Sequence, residues 1–116
     1  MQTRATLPKI EILKKEIILL LPDVKSSHRV EAMARGLGWN SNATLRADLA
    51  DGPQVRTVDE ARFTTYLTEH GFPGVQNGVL AAAVRRADIA AAREAIQAVM
   101  EREPTLTVTK ARVSAL

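Results

Sequence analysis

Few residue types in this 116-residue chain could do chemistry. The chain has no cysteine, which excludes disulfides, a thiolate zinc site and a cysteine nucleophile. The two histidines, His28 and His70, are far apart in sequence, and neither has the spacing or the neighbouring carboxylates that a metal site needs. We therefore expect His28 to belong to a capping turn and His70 to bond the last carbonyls of a helix.

Of two glycine-containing stretches, only one could bind an anion. "GLGW" at residues 36–39 lacks both the third glycine and the preceding strand of a phosphate-binding loop. "GFPGVQNG" at residues 71–78 opens a helix, so an anion could lie at that helix N-terminus near Arg85 and Arg86, although this is the less favoured interpretation. The sequence as a whole predicts a protein that is not an enzyme and that has no cofactor and no metal site.

The composition is that of a globular protein with one modest core. Hydrophobic residues make up 46% and charged residues 25% of the chain, and the net charge of +3 is spread along it. The most apolar run, residues 17–21, is far shorter than the roughly 20 residues of a membrane span. Together with the lack of cysteine, this predicts a cytoplasmic protein that does not interact with membranes.

Helical periodicity predicts an all-α fold, a small bundle of about five helices in a single domain over residues 1–103. Proline at the start and the end bounds a first helix over about 8–21. The second follows an N-cap at Ser26 or Ser27, and Glu31 is placed to pair with Arg35. The third starts near Ser41 and ends at about residue 50. A capping box from Thr57 to Glu60 opens the fourth.

The last helix, over about 79–103, is long for a domain of this size, and it carries two apolar stripes. Four short helices cannot cover both, so the sequence predicts a homodimer through this helix. The predicted dimer interface consists of Leu80, Val84, Ala87, Ala91, Ile96 and Met100.

Residues 104–116 are predicted to be a short extended or flexible tail, basic through Lys110 and Arg112. Alternating Thr and apolar residues from 105 onward give a strand signal with period two. Such a strand could pair with its copy in a dimer, extend another protein's sheet or stay disordered.

The second and third helices resemble a helix-turn-helix pair. Ala34, Gly38 and Leu45 have the expected residue types, but Leu45 comes seven positions after the glycine where six are usual. Arg46 could contact DNA, whereas Asp48 would repel phosphates, so direct reading of the major groove is disfavoured. We expect Trp39 to pack under the turn, with its indole N–H meeting a backbone carbonyl.

A second pattern within residues 12–47 consists of Ser27, His28, Glu31, Ala34, Gly38, Trp39, Thr44 and Leu45. Through these residues the segment resembles a small helical domain of glyoxalase-related bacterial proteins. The chain departs from the pattern at Val30, where the family often has a smaller residue. Because that domain is a non-catalytic appendage with no assigned role, the resemblance implies the helix-turn-helix-like architecture and transfers no catalytic residue.

Two functions are compatible with these features. The first is a small accessory protein that binds DNA or RNA mainly through phosphate contacts and could act as a regulator. Its predicted contacts are Arg29, Arg35, Arg46, Arg85, Arg86, Lys110 and Arg112. The second is a protein-interaction module that docks on a larger protein partner and regulates or inhibits it. The basic ends favour the first function, and the low net charge with Asp48 and Asp51 favours the second.

Overall fold

The fold is a bundle of five helices with a short two-stranded sheet. The structure is a computed structural model that describes residues 1–102. In chain order the elements are β1 (Gln2–Ala5), α1 (Leu7–Leu20), α2 (Ser26–Gly36), α3 (Asn42–Ala50), β2 (Gln54–Thr57), α4 (Glu60–Glu69) and α5 (Val79–Arg102). This confirms the predicted small helical bundle with a long last helix. The predicted tail, with Lys110 and Arg112, lies outside the described residues. Among the described helices, none is both long and apolar enough to cross a membrane.

The two strands were not predicted from the sequence. β1 pairs with β2 in an antiparallel register in which Gln2 faces Thr57 and Ala5 faces Gln54. Thr3 and Ala5 are buried beneath this ribbon, whereas Val55 is 64% exposed. Strands of four residues are too short to give a clear alternating pattern, and their partners lie about fifty residues apart in the sequence.

The helix N-termini follow the predictions in part. Ser41 caps α3, and its hydroxyl accepts from the Thr44 amide at 3.1 Å. The predicted cap at Ser26 or Ser27 is wrong, because α2 begins after Lys25, which makes no side-chain capping bond. The predicted capping box is also wrong, because Thr57 belongs to β2. Asp59 caps α4 instead, with its carboxylate 3.1 Å from the Arg62 amide.

The core lies where α1 packs on α5 and α2 packs on α4. Its largest fully buried side chains are Phe63, Ile10, Ile17, Met33, Leu37, Leu45, Leu67, Leu80 and Val84. Gly36 sits at the junction of three helices: an added methyl group there would overlap the Leu80 side chain and lie 3.1 Å from the Phe63 Cβ. Glycine at this position therefore lets the end of α2 approach α4 and α5 this closely without displacing the Leu80 side chain.

The first half of α5 belongs to this core, which corrects the predicted dimer interface. Leu80, Val84 and Ala87 are at most 1% exposed within the single chain. They cannot contact a second copy, because the chain's own helices already cover them. Of the other predicted interface residues, Ile96 is 61% exposed, while Ala91 and Met100 are half-buried.

Candidate interaction surfaces

Two of the arginines predicted to contact phosphates bind groups of the chain itself. The Arg46 guanidinium lies 2.7 Å from the Glu11 carboxylate and ties α3 to α1. The hydrogen bond from Arg46 holds the pKa of the Glu11 carboxyl below its usual value. Arg29 donates to the Leu21 carbonyl at 3.4 Å and to the Val24 carbonyl, so it fastens the loop between α1 and α2.

The other three described arginines predicted to contact phosphates lie on α2 and α5. Arg35 lies over the Tyr66 ring, 5.1 Å from its centroid. Arg86 is 3.9 Å from the Glu16 carboxylate, and its side chain is 56% exposed whereas that of Glu16 is 20% exposed. Arg85 is exposed on α5. The five described arginines of the predicted phosphate-contact set thus lie on α2, α3 and α5, and four of these five engage groups of the same chain.

Trp39 is the centre of the helix-turn-helix-like turn. Its side chain is 2% exposed, which confirms that it packs under the turn. Its indole N–H donates to the Asp48 carboxylate at 2.8 Å, not to a backbone carbonyl as predicted. Asp48 is therefore part of the turn's own structure, and it does not stand on α3 as an isolated negative charge.

Two arginines outside the predicted set complete this turn. The Arg56 guanidinium stacks 3.9 Å from the centroid of the Trp39 ring, and it also donates to the Leu37 and Gly38 carbonyls at 3.0 and 2.9 Å. Arg62 donates to the Trp39 carbonyl at 3.2 Å. Gly38 has a φ of 91°, a left-handed conformation that glycine adopts without strain. The turn is thus held by side chains from β2 and α4, and no signal within residues 28–51 could have named them.

Glu31 has a different partner from the predicted Arg35. Its carboxylate accepts from the Asn42 amide at 3.1 Å, in the first turn of α3. This bond satisfies one of the donors that a helix N-terminus leaves without an intrahelical partner. Glu31 therefore joins α2 to α3 and adds to the rigidity of the pair.

The two histidines meet on one side of the molecule. Their ring centroids are 5.0 Å apart, and the His70 ring stacks on Tyr66 at 4.0 Å. The His70 Nδ1 lies 2.7 Å from the Tyr66 carbonyl, as predicted for a residue at the end of α4. His28 packs against Tyr66 and Phe72, a role that goes beyond the predicted capping turn.

This aromatic cluster has no metal-binding geometry. Within residues 1–102, no group of three or more histidine or carboxylate side chains could hold a metal ion. Burial, and then the negative charge of Glu31, raise the pKa of the Tyr66 phenol, so the ring stays neutral and acts as a packing surface.

A carboxylate of the chain occupies the helix N-terminus that could have bound an external anion. Glu60 accepts from the Ala81 amide in the first turn of α5. The loop over residues 71–78 therefore opens a helix whose N-terminus already has a negative partner. This corrects the interpretation in which an anion lies there near Arg85 and Arg86.

The second half of α5 presents an apolar surface that the rest of the described chain does not cover. We name it the α5 stripe, and it consists of Ile89, Ala92, Ile96 and Val99. Its large members are 55%, 61% and 44% exposed, respectively. Every residue from 92 to 99 is exposed, whereas all the buried residues of α5 lie between Leu80 and Ala87. The helix therefore continues past the core that stabilises its beginning.

No family model, no curated protein and no solved structure matches this chain. The resemblance of residues 12–47 to the domain of glyoxalase-related proteins remains a prediction.

Proposed function

We propose that this protein is a homodimeric protein-interaction module that pairs through the α5 stripe. The observation that carries the proposal is the exposure of three large apolar side chains on one face of a helix that extends past its core. Burying such side chains is worth about 1.5–3 kcal/mol each, so water is an unfavourable environment for this face.

The spacing of the stripe fits a second copy of the same helix. Ile89, Ala92, Ile96 and Val99 follow one another at intervals of three, four and three residues, which is the a/d spacing of a coiled coil. Two identical faces are self-complementary around a twofold axis, the commonest symmetry of homodimers.

The charges favour an antiparallel pair. Residues 85–93 carry Arg85, Arg86, Arg93 and Asp88, a net charge of +2 from three positive and one negative groups. Residues 94–102 carry Glu94, Glu101 and Arg102, a net charge of −1. An antiparallel arrangement brings these unlike halves together, and it also opposes the two helix dipoles.

The same geometry makes nucleic-acid binding the weaker candidate. A phosphate-binding surface needs several cations that can leave their present partners, and four of the five described candidates are engaged within the chain. The contacts at the turn between α2 and α3 hold the helix-turn-helix-like pair together. This favours a role for the pair in stabilising the fold over a role in binding nucleic acid.

The dimer should be a weak one. The stretch from Ile89 to Arg102 is about 21 Å long at 1.5 Å per residue, which is two heptads. Standard stable interfaces bury about 800 Å² on each partner, more than two short helices provide. We therefore expect a dissociation constant in the micromolar range.

Analytical ultracentrifugation from about 1 µM to about 1 mM tests this pairing. We expect a concentration-dependent shift from monomer to dimer, and we expect Ile96→Glu to abolish it, because a buried carboxylate has no partner in the paired stripe. Leu19→Glu is the matched control: it places the same charge on a 69% exposed leucine of α1 and should leave the dimer intact. A mass that stays monomeric throughout would refute the pairing.

A further inference from the structure

A small apolar pocket lies between α1 and α2, away from the α5 stripe. Ile17 and Met33, both fully buried, form its floor, and Ile18 and Val30 form its walls. Its volume is about 60 Å³. Pockets that bind cofactors or drug-sized ligands have volumes of roughly 300–1,000 Å³, so this one is too small for them. It suits a single aliphatic side chain inserted from outside.

The rim of the pocket is polar and positively charged. Lys14 and Arg29 line it, together with Ser26 in the first turn of α2. The guanidinium of Arg29 is fixed by its bonds to the Leu21 and Val24 carbonyls, so its charge stays at the rim. The Lys14 ammonium is 3.4 Å from the Glu11 carboxylate, which Arg46 also binds. Because Glu11 is shared between two cations, it offsets only part of the positive charge at the rim.

The apolar wall of the pocket reaches the protein surface. Ile18 is 44% exposed although it also forms a wall of the pocket. Soluble proteins tolerate scattered exposed leucines, but an apolar hole with an exposed apolar wall and a cationic rim is typical of a site that receives a partner's side chain.

We propose that the pocket between α1 and α2 binds an acidic amphipathic helix of a partner protein, which inserts one leucine or isoleucine between Lys14 and Arg29. This inference rests on the proposed function, for which it supplies the class of partner. The aliphatic anchor fills the pocket, as in other helix-in-groove complexes, and the acidic residues flanking it face the cationic rim. Charge complementarity selects an acidic helix over a basic one.

The test uses a synthetic, fluorescently labelled helical peptide with leucines on one face and glutamates on the other. Fluorescence anisotropy measures its affinity, and the methyl NMR signal of Met33, on the pocket floor, locates the binding. We expect the peptide to bind and to shift the Met33 signal. We expect affinity to fall at least about tenfold when alanines replace its leucines or lysines replace its glutamates, the equivalent of about 1.4 kcal/mol.

Two pairs of variants separate the pocket from its surroundings. Ile18→Glu should weaken binding at least about tenfold, whereas Leu19→Glu, one residue away and outside the pocket lining, should change it less than about threefold. Lys14→Gln should weaken binding more than Lys15→Gln does. All four positions are exposed or half-buried, and circular dichroism checks that each variant folds.

Three results would overturn the inference: no binding of the acidic peptide, equal binding of the lysine-containing peptide, or equal effects of Ile18→Glu and Leu19→Glu. The outcome is independent of the α5 stripe. A peptide that binds Ile96→Glu as well as it binds the unaltered protein supports the pocket even if ultracentrifugation shows no dimer, and a dimer without peptide binding refutes the pocket alone.

Discussion

Trp39 shows how single residues fix the turn between α2 and α3. Its ring is buried, its indole N–H binds the Asp48 carboxylate, and the Arg56 guanidinium covers its face. A large aromatic side chain with its polar atom satisfied contributes both apolar burial and a directed bond. Asp48 belongs to α3 and Arg56 to β2, and both follow the turn in sequence, so the indole joins α3 to β2.

Trp39→Ala should lower the free energy of unfolding by about 3–5 kcal/mol, the range for truncation of a large buried aromatic residue. Trp39→Phe should cost less, because the phenyl ring keeps part of the apolar contact, although it loses the bond to Asp48 and part of the ring surface that Arg56 covers. Urea unfolding followed by circular dichroism measures both. If Trp39→Ala leaves the stability unchanged, the ring does not contribute to the core as described here.

Prediction from the sequence succeeded for some local features, failed for two helix N-caps and failed for distant pairs. The Ser41 cap and the bond from His70 to the end of α4 each involve residues within four positions, and both were predicted. The partner of Trp39 was predicted wrongly, and Arg56 was not predicted at all. The choice of those partners depends on how β2 lies against the turn, which no local spacing shows.

At the scale of elements, a side chain of α4 joins this helix to the N-terminus of α5. The Glu60 carboxylate accepts a hydrogen bond from the Ala81 amide, so it caps the N-terminus of α5 although Glu60 itself belongs to α4. The first-turn amides of a helix carry a partial positive charge, which a carboxylate stabilises. The sequence predicted a capping box between Thr57 and Glu60. In the structure Thr57 belongs to β2, so it cannot also be the N-cap of α4.

Glu60→Ala should therefore lower the free energy of unfolding by about 1–2 kcal/mol, as the loss of a helix cap does. The matched control is Glu69→Ala, which removes an exposed carboxylate at the end of the same helix and should change stability by less than about 0.5 kcal/mol. Thermal and urea unfolding compare the two. Equal effects would show that the bond to α5 contributes nothing.

At the scale of the whole molecule, the basic residues within residues 1–102 are distributed over all the helices and both strands. The net charge of +3 comes from 16 basic and 13 acidic residues, and many of the described acids bind cations or amides of the chain. A surface that binds nucleic acid tightly needs lysines and arginines clustered on one face.

We accordingly expect weak, sequence-tolerant binding of duplex DNA at low salt, with a slope of log affinity against log salt of about −0.9 for each phosphate contact. Arg85→Glu should reduce this residual binding more than Arg46→Glu, because Arg46 is already paired with Glu11. A salt titration by fluorescence anisotropy decides. Tight binding at physiological salt that Arg46→Glu selectively removes would favour the nucleic-acid function over the proposed interaction module.

The packing of α1 on α5 has a consequence for how the protein is made. Ile10, Leu13 and Ile17 are buried, yet the helix that covers much of α1 is the last of the described helices to leave the ribosome. The nascent chain must therefore carry an apolar first helix without its main cover until about eighty further residues have been synthesised. Contacts of such high sequence separation form late and slow folding. A stop codon before α5 would release a chain with this helix uncovered, a good substrate for chaperones and proteases.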